Sequence, residues 1–149
     1  VKKIKKVSFI LLILLIGIQF YRPNKNIQKE TTLDDFLTTQ KAQKPIKILF
    51  QNSCYNCHSN STDYYWYDNI APASWIVDRH IKKSQGEAQF FEWVTISNKD
   101  KNGLISEIAI NILENKMPLP SYTAVHPSAK LSKDEKKQIM EWLYSIENN

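Results

Sequence analysis

Glycine is scarce, with three in 149 residues. That disfavours a turn-rich β-sandwich or barrel, which needs a permissive residue at many turns. Cysteine is scarcer, with Cys54 and Cys57 alone. A structural zinc site usually needs a second Cys/His pair at close spacing, and His80 and His126 are isolated. No internal repeat and no low-complexity tract is visible. No acid occurs before Glu30. Lys2, Lys3, Lys5, Lys6 and Arg22 account for the whole net charge of +5, and the rest of the chain carries fifteen residues of each sign. The basic excess is terminal, not a face, which argues against a nucleic-acid partner.

What is present begins with an export signal. Four lysines within the first six residues precede an apolar run from Val7 to Phe20. Positive charge stays cytoplasmic while the run enters the membrane. No small-x-small cleavage pattern follows, and no cysteine near its end offers a lipid anchor. Residues 1–21 are expected to be a membrane anchor with Phe20 and Tyr21 at the interface. The alternative is a signal peptide with an atypical cleavage site. The anchored reading places the protein on the periplasmic face of the cytoplasmic membrane, and the cleaved one frees it in the periplasm.

The length suits one modest domain plus extra segments, and 42% hydrophobic residues suffice for a core. Residues 22–44 read as a polar linker, with a short helix near 33–37 where Phe36 and Leu37 dock. Residues 45–149 read as the domain. Pro45 opens a helix running to Ser53, and residues 56–74 form an ordered loop. Pro72 opens a second helix that Gly86 ends. Phe90 to Ile96 suggests another short helix, and 98–103 a turn. Leu104 to Asn115 carries a continuous apolar stripe at helical spacing. Met117-Pro118-Leu119-Pro120 stops it, and an extended segment follows through His126-Pro127. Ser132 and Glu135 are spaced as a capping box for the last helix.

Cys54-Tyr55-Asn56-Cys57-His58 is a C-x-x-C-H motif. Thiols one turn apart reach the two vinyl groups of one porphyrin and form thioethers, and the adjacent imidazole projects onto the iron. One covalent haem c is therefore expected, with His58 as metal ligand. The rivals are a disulfide or thioredoxin-like pair, which lacks its βαβ context here, and half of a zinc site. The sixth iron ligand is expected to be Met117, held in a proline-stiffened segment. Met140, His80, His126 or an open position are the alternatives, and the bland role of each of these side chains is packing or a loop. The aromatic run Tyr64-Tyr65-Trp66-Tyr67 and Trp75 are expected to wall the pocket, with Trp66 or a tyrosine reaching a haem propionate.

Further residues carry a resemblance. The motif with Ser59-Asn60, then Thr62 with Tyr64 to Tyr67, then Asn69-Ile70-Ala71-Pro72 and Ser74-Trp75, resembles a small bacterial haem-binding domain family related to cytochrome c. Met117-Pro118, Tyr122, His126-Pro127, Ala129 and Leu131-Ser132 are similar to the same family's C-terminal part. The likeness spans roughly 45–146. It implies an all-α, cytochrome c-like fold around one haem carried by Cys54, Cys57 and His58, with Met117 at the matching axial position. The chain departs from the family at Tyr65, where proline is common, and over 86–93.

Together these readings describe a membrane-tethered single-electron carrier. It exchanges electrons with a redox partner protein, transforms no small-molecule substrate and has no catalytic residue. The alternative is a peroxidase-like enzyme or gas sensor with an open sixth position and His80 or His126 as acid–base group.

Overall fold

The computed structural model describes residues 2–28 and 34–147. It is helical, with no strand among the described residues. Its helices are α1 (Lys2–Gly17), α2 (Phe36–Thr39), α3 (Lys44–Phe50), α4 (Asn56–His58), α5 (Ala73–Glu87), α6 (Asn98–Leu113), α7 (Pro120–Val125) and α8 (Lys133–Glu147).

The core gathers the apolar faces of α2, α3, α6 and α8. Phe50 of α3 meets Trp142 of α8 at 5.4 Å between ring centroids. Ile105, Ile108 and Ile112 of α6 and Ile139 and Leu143 of α8 are buried in the same cluster. The Ser132–Glu135 capping box forms: the Ser132 N–H donates to Glu135 at 2.7 Å, and the Glu135 N–H to Ser132 Oγ at 3.3 Å. Two orphan donors at the start of α8 are thereby satisfied.

Several expectations need correction. Residues 22–44 are more than a linker. Phe36 is completely buried, 4.3 Å from Trp93 between ring centroids, and Leu37 and Ala42 are buried with it. The expected helix near 33–37 is realised as α2, and Leu33 lies outside the described residues. Asp35 starts α2 by accepting from the Leu37 and Thr38 N–H groups. Residues 98–103 form the first turns of α6, because Ser97 Oγ accepts from the Asp100 N–H. The Phe90–Ile96 cluster forms only a 3₁₀ turn at Trp93–Thr95. The segment after Pro118 is not extended throughout. Pro120 occupies the first turn of α7, where its missing N–H costs nothing.

The Val7–Phe20 run is helical through α1 and a 3₁₀ turn, apolar on all sides and exposed along α1. The expected anchor helix over residues 1–21 is not found as a membrane span: no helix among the described residues is long and apolar enough to cross a membrane.

Candidate functional site

The helix from α3 does not run straight into the cysteine motif. It widens into a π-helical turn over Gln51–Tyr55 and tightens again at α4. Such single wide turns recur at functional sites because they re-aim side chains. Tyr55, between the cysteines, points into the core. Its hydroxyl donates to Asp35 Oδ2 at 2.6 Å, and its ring lies 5.5 Å from Phe90. Asn56 is held by Asp63: its Oδ1 accepts from the Asp63 N–H at 2.7 Å. Thr62 and Ser84 hydroxyls donate to the carbonyls of Asn56 and Cys57, at 2.9 and 2.6 Å. The motif is thus pinned on several sides by hydrogen bonds.

His58 is oriented by two contacts. Its Nδ1 lies 2.9 Å from the Ala88 carbonyl oxygen, and its ring stacks on Phe90 at 5.2 Å. A carbonyl only accepts, so Nδ1 carries the proton and Nε2 keeps its lone pair. That tautomer is the ligating one, and the carbonyl is its orienting partner. Burial pushes the imidazole pKa below 6.5, partly offset by the Ala88 carbonyl. Neutral His58 is favoured.

Two adjoining cavities, of about 60 and 250 Å³, open beside this ring. Both are lined by Ser53, Cys54, His58, Glu87, Met117 and Pro118. The smaller has an apolar wall of Phe90, Leu104, Ile108 and Ile112. The larger adds Cys57, Leu119, Tyr122 and a basic rim of Arg79, His80 and Lys83.

Met117 reaches the cavities because α6 stops where it does. Asn115 adopts a left-handed conformation with φ of 59°, and the N–H groups of Lys116 and Met117 both donate to the Asn111 carbonyl. Lys136 Nζ donates to the Ile112 carbonyl at 3.0 Å and to Asn115 Oδ1 at 2.6 Å. The chain is turned back and held there.

The other expected residues lie elsewhere. Met140 packs against the core. His126 stacks near Tyr65 and Tyr122, at 4.2 and 4.4 Å, and its Nε2 bonds the Tyr67 hydroxyl. Trp66, Tyr67 and Trp75 line neither cavity. Trp66 is 76% exposed, and Trp75 Nε1 donates to the Tyr21 carbonyl. Trp66 and Tyr67 cannot share one wall, since neighbours in their 3₁₀ turn project about 120° apart. The walls come instead from Phe90, α6 and the Leu119–Tyr122 segment. Sequence reasoning missed Ala88, Ser84 and Lys136, which act through or upon backbone carbonyls, a role without a sequence signature.

The thiols are unpaired. Burial raises the pKa of Cys54 to about 12, with Cys57 adding to the rise, and that of Cys57 to about 11, with Asp68 adding. A thioredoxin-like nucleophile needs the opposite shift. Among the described residues, no three His, Cys, Asp or Glu side chains gather into a metal-holding group. What the site presents is two thiols one turn apart, an imidazole with Nε2 unprotonated, a thioether and an apolar wall. This donor set fits haem.

The sequence pattern of the haem-binding domain family matches residues 13–145. The chain belongs to that family. No curated protein and no solved structure matches it. As a haem-binding domain, it presents Cys54, Cys57 and His58 as the residues suited to hold the group. The match includes residues 22–44, consistent with Phe36 and Leu37 in its core.

Proposed function

We propose that this haem-binding domain is a membrane-tethered single-electron carrier of cytochrome c-like design. Cys54 and Cys57 would hold one haem c through thioethers, and His58 and Met117 would supply the nitrogen and sulfur donors to its iron. The bound group would supply a one-electron iron couple. The observation carrying this reading is the His58 tautomer, fixed by Ala88, in cavities that Met117 also lines.

The chain's own residues then have defined tasks. Ala88 and Phe90 hold the His58 ring. Lys136 and Asn115 hold Met117. Phe90, Leu104, Ile108 and Ile112 exclude water on one side. A Met/His pair favours the ferrous state and raises the potential. Residues 1–21 would anchor the domain on the periplasmic face of the cytoplasmic membrane, where a redox partner protein exchanges electrons with it.

A second reading has one observation in its favour: His80 lines the larger cavity with Met117. A displaceable sixth position beside His80 would suit a peroxidase-like enzyme or a sensor. The test is expression with a c-type haem maturation system. Haem retained after denaturation, with a c-type pyridine haemochrome, is expected; a colourless chain beside a matured control would overturn covalent attachment. The reduced protein is expected to refuse carbon monoxide and to accept it as Met117→Ala. Complete binding by the unmodified protein would favour the second reading.

A further inference from the structure

The apolar N-terminal helix does not trail from the domain on a free tether. Gln19 clasps the backbone of Ala71 from both sides. Its Nε2 donates to the Ala71 carbonyl at 3.0 Å, and its Oε1 accepts from the Ala71 N–H at 2.9 Å. Two residues on, the Tyr21 carbonyl accepts from Trp75 Nε1 at 3.1 Å, and the two rings meet edge to face at 5.8 Å. Lys25 Nζ then donates to Asn69 Oδ1 at 2.8 Å. Asn26 Nδ2 donates to the Ser59 carbonyl at 2.9 Å, beside the haem motif. The apolar segment therefore leaves the domain at a defined place.

The residues next to these contacts in the chain include apolar side chains that the core does not use. Phe20 follows Gln19 and is 87% exposed; Ile70 precedes Ala71 and is 46% exposed. Ile76 follows Trp75 and is 55% exposed. Trp66 opens the 3₁₀ turn that Ile70 closes, and is 76% exposed. Trp66 is of the side-chain type favoured where hydrocarbon meets headgroups, and Phe20, Ile70 and Ile76 are of the type that enters hydrocarbon. Arg22, two residues past Phe20 in the chain, suits lipid phosphates.

Length supplies the reason for such side chains. The run from Val7 to Phe20 is about 21 Å long at 1.5 Å per residue, against about 30 Å of hydrocarbon. A short span is accommodated by thinning the bilayer and by drawing flanking side chains into the interface. Here the clasp makes the flank part of the domain.

We propose that Phe20, Trp66, Ile70 and Ile76 form a lipid-contacting face that seats the haem domain on the bilayer at a fixed orientation. This rests on the tether proposed above and adds to it a surface and its occupant, the lipid interface. The seat fixes where the haem cavities stand relative to the membrane, which a free linker would leave open.

The test uses the full haem-loaded chain in phosphatidylethanolamine–phosphatidylglycerol vesicles. Nitroxides are attached at Trp66→Cys, Ile70→Cys and, as reference, Ile110→Cys on α6. All three positions are exposed, so folding tolerates the labels. Flotation with the vesicles after alkaline carbonate washing is read first, and then relaxation by oxygen and by a water-soluble nickel chelate. The expected result is flotation, with an oxygen-to-nickel accessibility ratio several-fold higher at 66 and 70 than at 110. Flotation with equal ratios at all three positions would overturn the seat and leave the tether standing. Failure to float would overturn both. Shielding of 66 and 70 from oxygen and nickel alike would mark a protein contact and overturn lipid as the occupant.

Discussion

Two aromatic regions flank the Cys54–His58 turn, and they are built in opposite ways. On one side Phe36, Phe50, Phe90, Trp93 and Trp142 come from four separated stretches of chain and converge on one cluster, with Phe36, Phe50 and Trp93 wholly buried. On the other side Tyr64 to Tyr67 are consecutive, and they spread out. Tyr64 accepts from the Asn26 N–H at 2.8 Å, Tyr65 stacks on Tyr67 at 5.8 Å, and Trp66 faces outward. Aromatic density along the chain is therefore a poor guide to burial. Separation lets side chains meet, whereas adjacency in a tight turn drives them apart. The convergent cluster supports the haem motif through Phe90 and Tyr55, and the divergent tract fastens the N-terminal segment.

The contrast is broken most severely at Phe36. Phe36→Ala is expected to cost about 3–5 kcal/mol, the usual range for a buried aromatic truncated to alanine. Urea unfolding of the full chain measures it. A cost under about 0.5 kcal/mol, the value for a surface site, would return residues 22–44 to the status of a linker. Next in size is thiol reactivity in the haem-free folded chain. With Cys54 raised to about 12 and Cys57 to about 11, from an ordinary value of 9.0, the thiolate fraction at pH 8 falls about 10³- and 10²-fold, a decade per pKa unit. Iodoacetamide is expected to modify both far more slowly than in urea. Rapid folded-state alkylation would revive the dithiol reading.

Asp35 sharpens the comparison at smaller scale, because it joins α2 to the haem motif. Its Oδ1 caps α2 and its Oδ2 accepts from Tyr55. Asp35→Ala is expected to cost about 1–2 kcal/mol, the upper range for an N-cap. A double-mutant cycle with Tyr55→Phe is expected to show coupling of about 1 kcal/mol or more, because the two share one charged hydrogen bond. Zero coupling would detach the motif from the core.

The physics also explains what could be read in advance. The α6 stripe, the α8 capping box and the C-x-x-C-H motif are local patterns whose meaning depends on residues within a turn or two, and each is realised as a helix or helical turn. The all-α class followed from them. The docking of Phe36 and Leu37 was legible as a short helix, but the place of residues 22–44 in the core depends on Phe36 meeting Trp93, far away in sequence, which local polarity does not show. The first turns of α6 were missed because Ser97, its cap, precedes a polar stretch that reads as a turn. The haem motif was legible, but its supports were not. Ala88 orients His58 by a carbonyl, which every residue possesses. Lys136 steadies the Met117 turn from a helix twenty residues away, and a lysine on a polar face gives no sign of it.

The smallest expected effect is the most pointed, because it separates what aromatics do on the two sides. Trp66→Ala is expected to change the stability of the full chain by less than about 0.5 kcal/mol, since its ring is 76% exposed and meets Tyr67 edge-on at 5.8 Å. Urea unfolding compared with Phe36→Ala, in the same buffer, checks this. A loss of about 2 kcal/mol or more would mean that Trp66 closes onto the domain in solution and would place the tract with the core. An unchanged midpoint would leave a large indole on the surface with no folding role. Burying such a side chain is worth several kcal/mol at the scale of 25 cal/mol/Å², and the lipid seat proposed above is where Trp66 would gain it.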